Sequence, residues 1–457
     1  MEWTLFHIAA IAIFVIAYIL IVFEHPLRLN KTVPALFAAS LGWAIVSYGF
    51  QLGSVDIIDH HGHLFNTGIN NSEAQTGFTD VLLHHLGKTS EILIFLIGAM
   101  TIVELIDLHR GFDIIQRWIR TRKKTHLLWI IGFLAFFLSA VIDNLTTTIV
   151  LITLLRRIIH SRKEKLWFAS LIVIAANAGG AWSPIGDVTT TMLWIAHKTT
   201  TLKLIESLIL PSLVCFVIPA FVLSKLPIMK GNVYIPEDAT VERDTLLSSR
   251  MMLFVGLGGI LSVPFFKGIT HLPPYLGMAL ALGFVWMISE YIHPEEEFSE
   301  DRRHLYSAHR ALSRIEMSSI LFFFGILMAV ASLETIAVHK VSVLEYAAEQ
   351  LDMLVPNRYV VFTLLGFFSA IIDNVPLVAA AMGMYDFPTD HHLWHYLAYT
   401  AGTGGSMLII GSAAGVAAMG LEKIEFIWYL KRIGWLALIG FLAGAAVFIL
   451  MSSFHFT

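Results

Sequence analysis

Charge is what this chain has least of. Only 14% of its 457 residues are Asp, Glu, Lys or Arg, while 56% are hydrophobic; a soluble protein carries about 25% charge. Folded in water, such a chain would leave more apolar surface than one core can bury, which excludes a soluble enzyme. Cysteine is scarcer still. The single Cys215 excludes both a disulfide framework and a cysteine-ligated metal site. No excess of basic residues is present either: a net charge of -4 and a pI near 6.6 give no electrostatic footprint for nucleic acid. Gly-x-Gly-Asp, His-Glu-x-x-His and Gly-x-Ser-x-Gly stretches are missing, so an intramembrane hydrolase has no supporting motif. The expectation is a protein that is not an enzyme and needs no cofactor. Met1-Glu2-Trp3 lacks the basic region of a signal peptide, and the apolar run to Phe23 is too long for a signal core. That run is read as a retained first span.

What the chain does have is apolar stretches along its whole length, with a mean hydropathy of +0.73. They fall near 5–23, 33–50, 91–107, 127–155, 166–196, 204–223, 251–267, 274–292, 315–333, 357–384, 393–421 and 433–452. A hydrocarbon core about 30 Å thick takes about 20 helical residues to cross. The bilayer is therefore the expected solvent, and orientation follows from Lys and Arg, which stay on the cytoplasmic side. Segments 108–126 and 156–165 are both strongly basic, yet they flank a single stretch, 127–155, which cannot cross and keep both ends inside. Asp143-Asn144 divides that stretch into arms of 16 and 11 residues, about 24 Å and 16 Å at 1.5 Å per residue. On these lengths neither arm spans, and 127–155 reads as a re-entrant helical hairpin with a polar tip. Asp373-Asn374 makes 357–384 a second hairpin, entering from outside. With both hairpins in place, the loops assigned inside carry 24 of the 30 Lys and Arg residues. The fold expected is an all-α polytopic membrane protein of about ten transmembrane helices plus two re-entrant hairpins, both termini outside.

The two hairpins resemble each other. Ser139-Ala-Val-Ile-Asp143-Asn144-Leu recurs as Ser369-Ala-Ile-Ile-Asp373-Asn374-Val, 230 residues later, and Gly179-Gly180 with Gly186 recurs as Gly404-Gly405 with Gly411, 225 residues later. Each half then holds five crossings and a hairpin, and an odd number of crossings inverts the second copy. This is an inverted-topology repeat with broken helices, the architecture of many secondary transporters. Residues 1–223 form the first repeat (hairpin 127–155, broken helix 166–196), 224–250 a cytoplasmic linker and 251–457 the second repeat (hairpin 357–384, broken helix 393–421).

Glycine and proline between Asn177 and Thr189 break any regular helix there. The oxygens of Asn177, Ser183, Asp187 and Thr189 lie beside the exposed backbone, a hard donor set suited to a small hard cation. The counterpart, Gly402 to Ser412, breaks in the same way without a carboxylate. Asp143, Asp187 and Asp373 are thus expected together near the bilayer midplane, where a charge costs about 2.5–3.5 kcal/mol on insertion scales. That cost favours the neutral, protonated carboxyl unless a cation is bound, so proton and cation compete. Coupled to alternating access, this competition is cation/proton exchange. Capping of the following half-helix is a second role for Asp143 and Asp373. Glu91, Glu104 and Glu334 read as interfacial charges at span ends. The outer segment 51–90, with His60, His61, His63, His84, His85, Asp56, Asp59, Glu73 and Asp80, reads as solvated loop that could sense pH near neutrality. A basic face on 111–124 suits anionic lipid.

These residues resemble the ion-transporter superfamily, and within it the NhaD-type sodium/proton antiporters. The match rests on Ser139-x-x-x-Asp143-Asn144-x-Thr146, on Asn177 with Asp187 and Thr189, and on Ser369-x-x-x-Asp373-Asn374, and it extends over effectively the full chain. The resemblance implies a multi-pass antiporter of the bacterial inner membrane, working as a homodimer, that exports Na⁺ and Li⁺ in exchange for H⁺. The implied ion and proton site comprises Ser139, Asp143, Asn144, Thr146, Asn177, Asp187, Thr189, Ser369, Asp373, Asn374 and Ser412, with Na⁺ at Asp143, Asp187 and Asp373. It also implies functional roles for His84 and Glu91. Dicarboxylate symporters of the same superfamily carry Ser-Asn-Thr at the hairpin tips, and here an Asp stands at each tip, which would repel a dicarboxylate. An organic-anion or arsenite transporter on this fold is the alternative.

Overall fold

The apolar stretches become helices almost one for one. The computed structural model describes residues 3–59, 61–66, 71–119, 121–233, 246–292 and 306–455. Helix α1 (Leu5–Val22) and α2 (Thr32–Gln51) lead into α3 (Asn71–Leu108), which at 38 residues is far longer than the expected span 91–107. Much of the segment read as an outer loop is therefore helix; no proline interrupts 71–108. The rest of that segment departs from the all-α expectation. Strands β1 (Asp56–Ile58), β2 (Leu64–Phe65), β3 (Ile336–Val338) and β4 (Val341–Ser342) form an antiparallel sheet in the order β2-β1-β3-β4. Ile57 pairs with Ile336, and both are fully buried. Two- and three-residue strands leave no periodicity in the sequence, and their β-branched residues declare themselves only once paired.

The first hairpin is α4 (Lys124–Ile142) and α5 (Asn144–Ile158), separated by Asp143 alone. Its arms have 19 and 15 residues, about 28 Å and 22 Å long. The expectation that neither arm can cross is corrected for α4, which is long and apolar enough to do so. Polar contacts carry the helix past its apolar run: Lys124 pairs with Glu164 at 2.8 Å, and Thr125 donates to the Met229 carbonyl at 2.9 Å.

Broken helices follow as expected. Helix α6 (Arg162–Gly180) stops and α7 (Val188–Ile195) resumes after the Gly-Pro-Gly segment. Helices α8 (Thr201–Lys225), α9 (Ser249–Thr270), α10 (Pro274–Tyr291), α11 (Met317–Thr335) and α12 (Val343–Leu354) precede the second hairpin, α13 (Arg358–Ser369) and α14 (Asn374–Met384). The second broken helix is α15 (His392–Gly404) and α16 (Ala413–Glu422), and α17 (Trp435–His455) ends the described chain. Among the described residues seven helices are long and apolar enough to cross a membrane, or eight if one bent pair counts as a span. The broken spans fall outside that count because α6 opens on the charged run Arg162-Lys163-Glu164-Lys165 and because α7, α15 and α16 have only 8, 13 and 10 residues.

Two compact units are present. One comprises 1–93, 316–361 and 375–388. In it Ala17, Ala38, Ala39 and Ala329 pack with Met328, small residues that let α1, α2 and α11 approach closely. His7 Nε2 lies 3.0 Å from the Ala337 carbonyl, tying α1 to the sheet. The other unit comprises 94–315, 362–374 and 389–457 and holds the first hairpin, both broken helices and the second hairpin's tip. Helix α6 is buried continuously from Phe168 to Gly180, and α15 from Leu393 to Gly404. Helices covered on every side form the centre of a bundle.

Candidate functional site

Both helix breaks are built around glycines that let backbones touch. A Cβ on Gly179 would fall on the carbonyl of Phe136, and a Cβ on Gly404 would fall on that of Gly366. Gly186 lies in the same way against Ser139 and Ala140, and Gly411 against Ala370. Hydroxyls complete the join: Ser139 Oγ donates to the Ala176 carbonyl at 2.6 Å, and Ser369 Oγ to the Ala401 carbonyl at 2.7 Å. Each contact of the second set is the first displaced by 230 residues on the hairpin and 225 on the broken helix. Each hairpin segment therefore rests on its own broken helix through corresponding residues.

Asp187, only 3% exposed, caps α7 and accepts from the Thr189 amide at 3.3 Å. The asparagines of both tips reach it. Asn374 Nδ2 donates to Asp187 Oδ2 at 3.1 Å, and Asn144 Nδ2 lies 3.5 Å from the same oxygen. Asn144 also donates to Asn177 Oδ1 at 3.1 Å, and Asn177 Nδ2 donates to Ser406 Oγ and Ser412 Oγ, each at 2.9 Å. A continuous polar chain thus runs from Ser406 and Ser412 through Asn177 and Asn144 to Asp187 and Asn374. Thr189 Oγ1 is buried beside it, next to the Asp187 carboxylate. A hydroxyl is a hard neutral oxygen of the kind that suits a small cation.

Asp143 turns back on its own helix instead. Its two carboxylate oxygens accept from the Thr146 amide at 2.8 Å and from Thr146 Oγ1 at 2.9 Å. Asp143 and Asp373 both lie within Coulomb range of Asp187. Among the described residues, however, no three of His, Cys, Asp or Glu come close enough to hold one metal ion. At the first tip the aspartate caps its own helix and the asparagine after it reaches inward.

Ser139 and Ser369 fix the tips, and Thr146 serves Asp143. His84 and Glu91 are two turns apart on α3 within the first unit, and the His84 ring is 5.8 Å from that of His85. Asp59 organises a turn, accepting from the amides of His61 and His63 at 2.9 and 2.7 Å; His60 and the Glu73 side chain lie outside the described residues. Glu104 pairs with Arg314 at 3.4 Å, as an interfacial charge would.

Known proteins are similar to this chain over nearly its whole length. The CitMHS family, described as citrate transporter, matches residues 18–401. Sodium/proton antiporter 2 of Arabidopsis thaliana is 42% identical over 97% of this chain and 99% of its own length. The Na(+)/H(+) antiporter NhaD of Vibrio cholerae is 31% identical over 98% of this chain and 92% of its own. The chain belongs to the NhaD-type antiporters of the ion-transporter superfamily. In fold it is also similar to the YdaH transporter of Alcanivorax borkumensis, with a TM-score of 0.54 at 13% identity, covering 93% of this chain and 99% of that one.

In this NhaD-type chain each tip motif divides its work by position. The serine anchors the hairpin and the asparagine five residues on meets the buried carboxylate. Sequence reasoning passed over Ser406, which bonds Asn177. In the repeat, adding 225 to Asn177 gives Gly402, and adding it to Asp187 gives Ser412, so the two breaks were unequal from the outset.

Proposed function

We propose that this protein exchanges Na⁺, and also Li⁺, for H⁺, with Asp187 carrying cation and proton in turn. One observation carries the proposal. Asp187 is a buried carboxylate at a helix break whose hydrogen-bond partners, Asn144, Asn374 and the Thr189 amide, are all neutral. Its charge at the bilayer centre would cost about 2.5–3.5 kcal/mol unless a cation or a proton neutralised it. A site that holds one or the other, but not both, becomes an exchanger when the hairpin tips expose it alternately to the two sides. Asp143 and Asp373 add negative potential that draws the cation in. Relatives named sodium/proton antiporters over the full length support this reading.

The citrate description of the matching family points to a different cargo. Citrate would meet Asp143, Asp187 and Asp373 as like charges, whereas a cation is attracted by all three, so the cation reading is preferred. The proposal also takes residues 1–223 and 251–457 as inverted halves, places both termini outside a bacterial inner membrane because 24 of 30 basic residues fall in loops that then lie inside, and takes the working form as a homodimer.

The test uses inverted vesicles holding an imposed pH gradient. Added Na⁺ or Li⁺ should dissipate the gradient with wild-type protein and not with Asp187→Asn. Citrate uptake without cation-dependent proton movement would assign the protein to organic anions instead.

A further inference from the structure

Most glycines around the two breaks have a structural reason: a Cβ on Gly179, Gly186, Gly404 or Gly411 would strike backbone. Gly402 differs. It lies in α15 without a positive φ, so the backbone does not demand glycine, and glycine in a helix costs about 1 kcal/mol relative to alanine. The atoms that a Cβ there would meet are the Ala181 Cβ at 3.1 Å, the Asp187 Oδ2 at 3.4 Å and the Ala181 Cα at 3.5 Å. The missing side chain thus leaves space directly against the buried carboxylate. The first copy has no such space, since the equivalent position is Asn177, whose amide fills it and bonds Ser406 and Ser412.

We infer that Gly402 is a specificity-determining residue, its absent side chain making room for the monovalent cation beside Asp187 and setting the largest ion admitted there. The inference rests on the cation reading of Asp187. The carboxylate oxygen supplies the charge, and the buried Thr189 hydroxyl beside it is a hard neutral oxygen. A methyl group in this space removes room from Na⁺ before it removes room from the smaller Li⁺. One methylene in a fitted pocket changes discrimination by about tenfold or more.

The experiment measures Na⁺ and Li⁺ half-saturation in inverted vesicles, together with radioactive Na⁺ binding to purified protein, for wild type, Gly402→Ala and Gly402→Ala/Ala181→Gly. Gly402→Ala should raise the Na⁺ half-saturation by about tenfold and the Li⁺ value much less, with the same order in binding. The double variant removes the 3.1 Å contact with Ala181 but keeps the methyl against Asp187, so it should fold well and retain the shift towards Li⁺. Should Gly402→Ala fail to fold, the double variant carries the comparison. Unchanged values for both ions, or full recovery of Na⁺ affinity in the double variant, would overturn the inference while leaving the exchange function in place. A wild-type protein that neither binds Na⁺ nor moves protons with it would overturn both.

Discussion

At position 143 the backbone has φ 75° and ψ 162°, a region that glycine enters freely and other residues reach at about 1–3 kcal/mol. An aspartate is held there because its carboxylate caps α5 through Thr146, a contribution of about 1 kcal/mol. Asp143→Gly removes strain and cap together, so stability should stay within about 1–2 kcal/mol of wild type while ion exchange is lost. A melting curve and a vesicle assay on the same preparation check this; retained exchange would reduce Asp143 to a cap. His109, just beyond α3, makes a pH-dependent case. It is fully buried, with ring nitrogens 2.8 Å from Ser248 Oγ and 3.1 Å from Ser289 Oγ. Burial pushes its pKa down to about 4, so the folded protein keeps it neutral where the unfolded chain, near 6.5, takes up a proton. Above that value His109 costs nothing; as pH falls from 6.5 towards 4 stability is progressively lost. Melting temperatures measured across that window should decline, and less steeply in His109→Gln.

Among elements, the hairpins and broken helices were the legible part of the sequence. Their breakers, Asp143-Asn144 and Gly179 to Gly186, interrupt apolar runs that would otherwise be continuous, and the residues doing so reappear at a fixed displacement. Less legible were the length of α4, which continues through Lys124 and Thr125 by contacts with distant Glu164 and Met229, and the small sheet, whose strands are too short to show a period. The breaks supply a stability test. Gly179→Ala and Gly404→Ala each force a methyl into a backbone carbonyl that cannot move without displacing a hairpin tip, a cost of about 1–3 kcal/mol or more. Gly258→Ala and Gly283→Ala meet nothing within 4 Å and gain helix propensity. The first pair should lower the yield of monodisperse protein and the melting temperature; the second should leave both equal or higher.

At the scale of the whole molecule, scarcity of charge identified the solvent, and the few ionisable residues within apolar stretches identified the site. That economy has a physical basis: in the bilayer a charge survives only where it is neutralised or used, so Asp143, Asp187 and Asp373 stand out as they would not in a soluble protein. What the sequence could not disclose was their distribution of labour. Three carboxylates at matching depth read as one shared ion site, and only the side-chain directions separate Asp143, which caps its own helix, from Asp187, which both tip asparagines address. The central claim is therefore competition between Na⁺ and H⁺ at Asp187. The most direct measurement adds NaCl to purified protein in weakly buffered solution and records proton release. Wild-type protein should release protons saturably with Na⁺, and Asp187→Asn should release none. Na⁺ binding without proton release, or the same release from Asp187→Asn, would contradict the account.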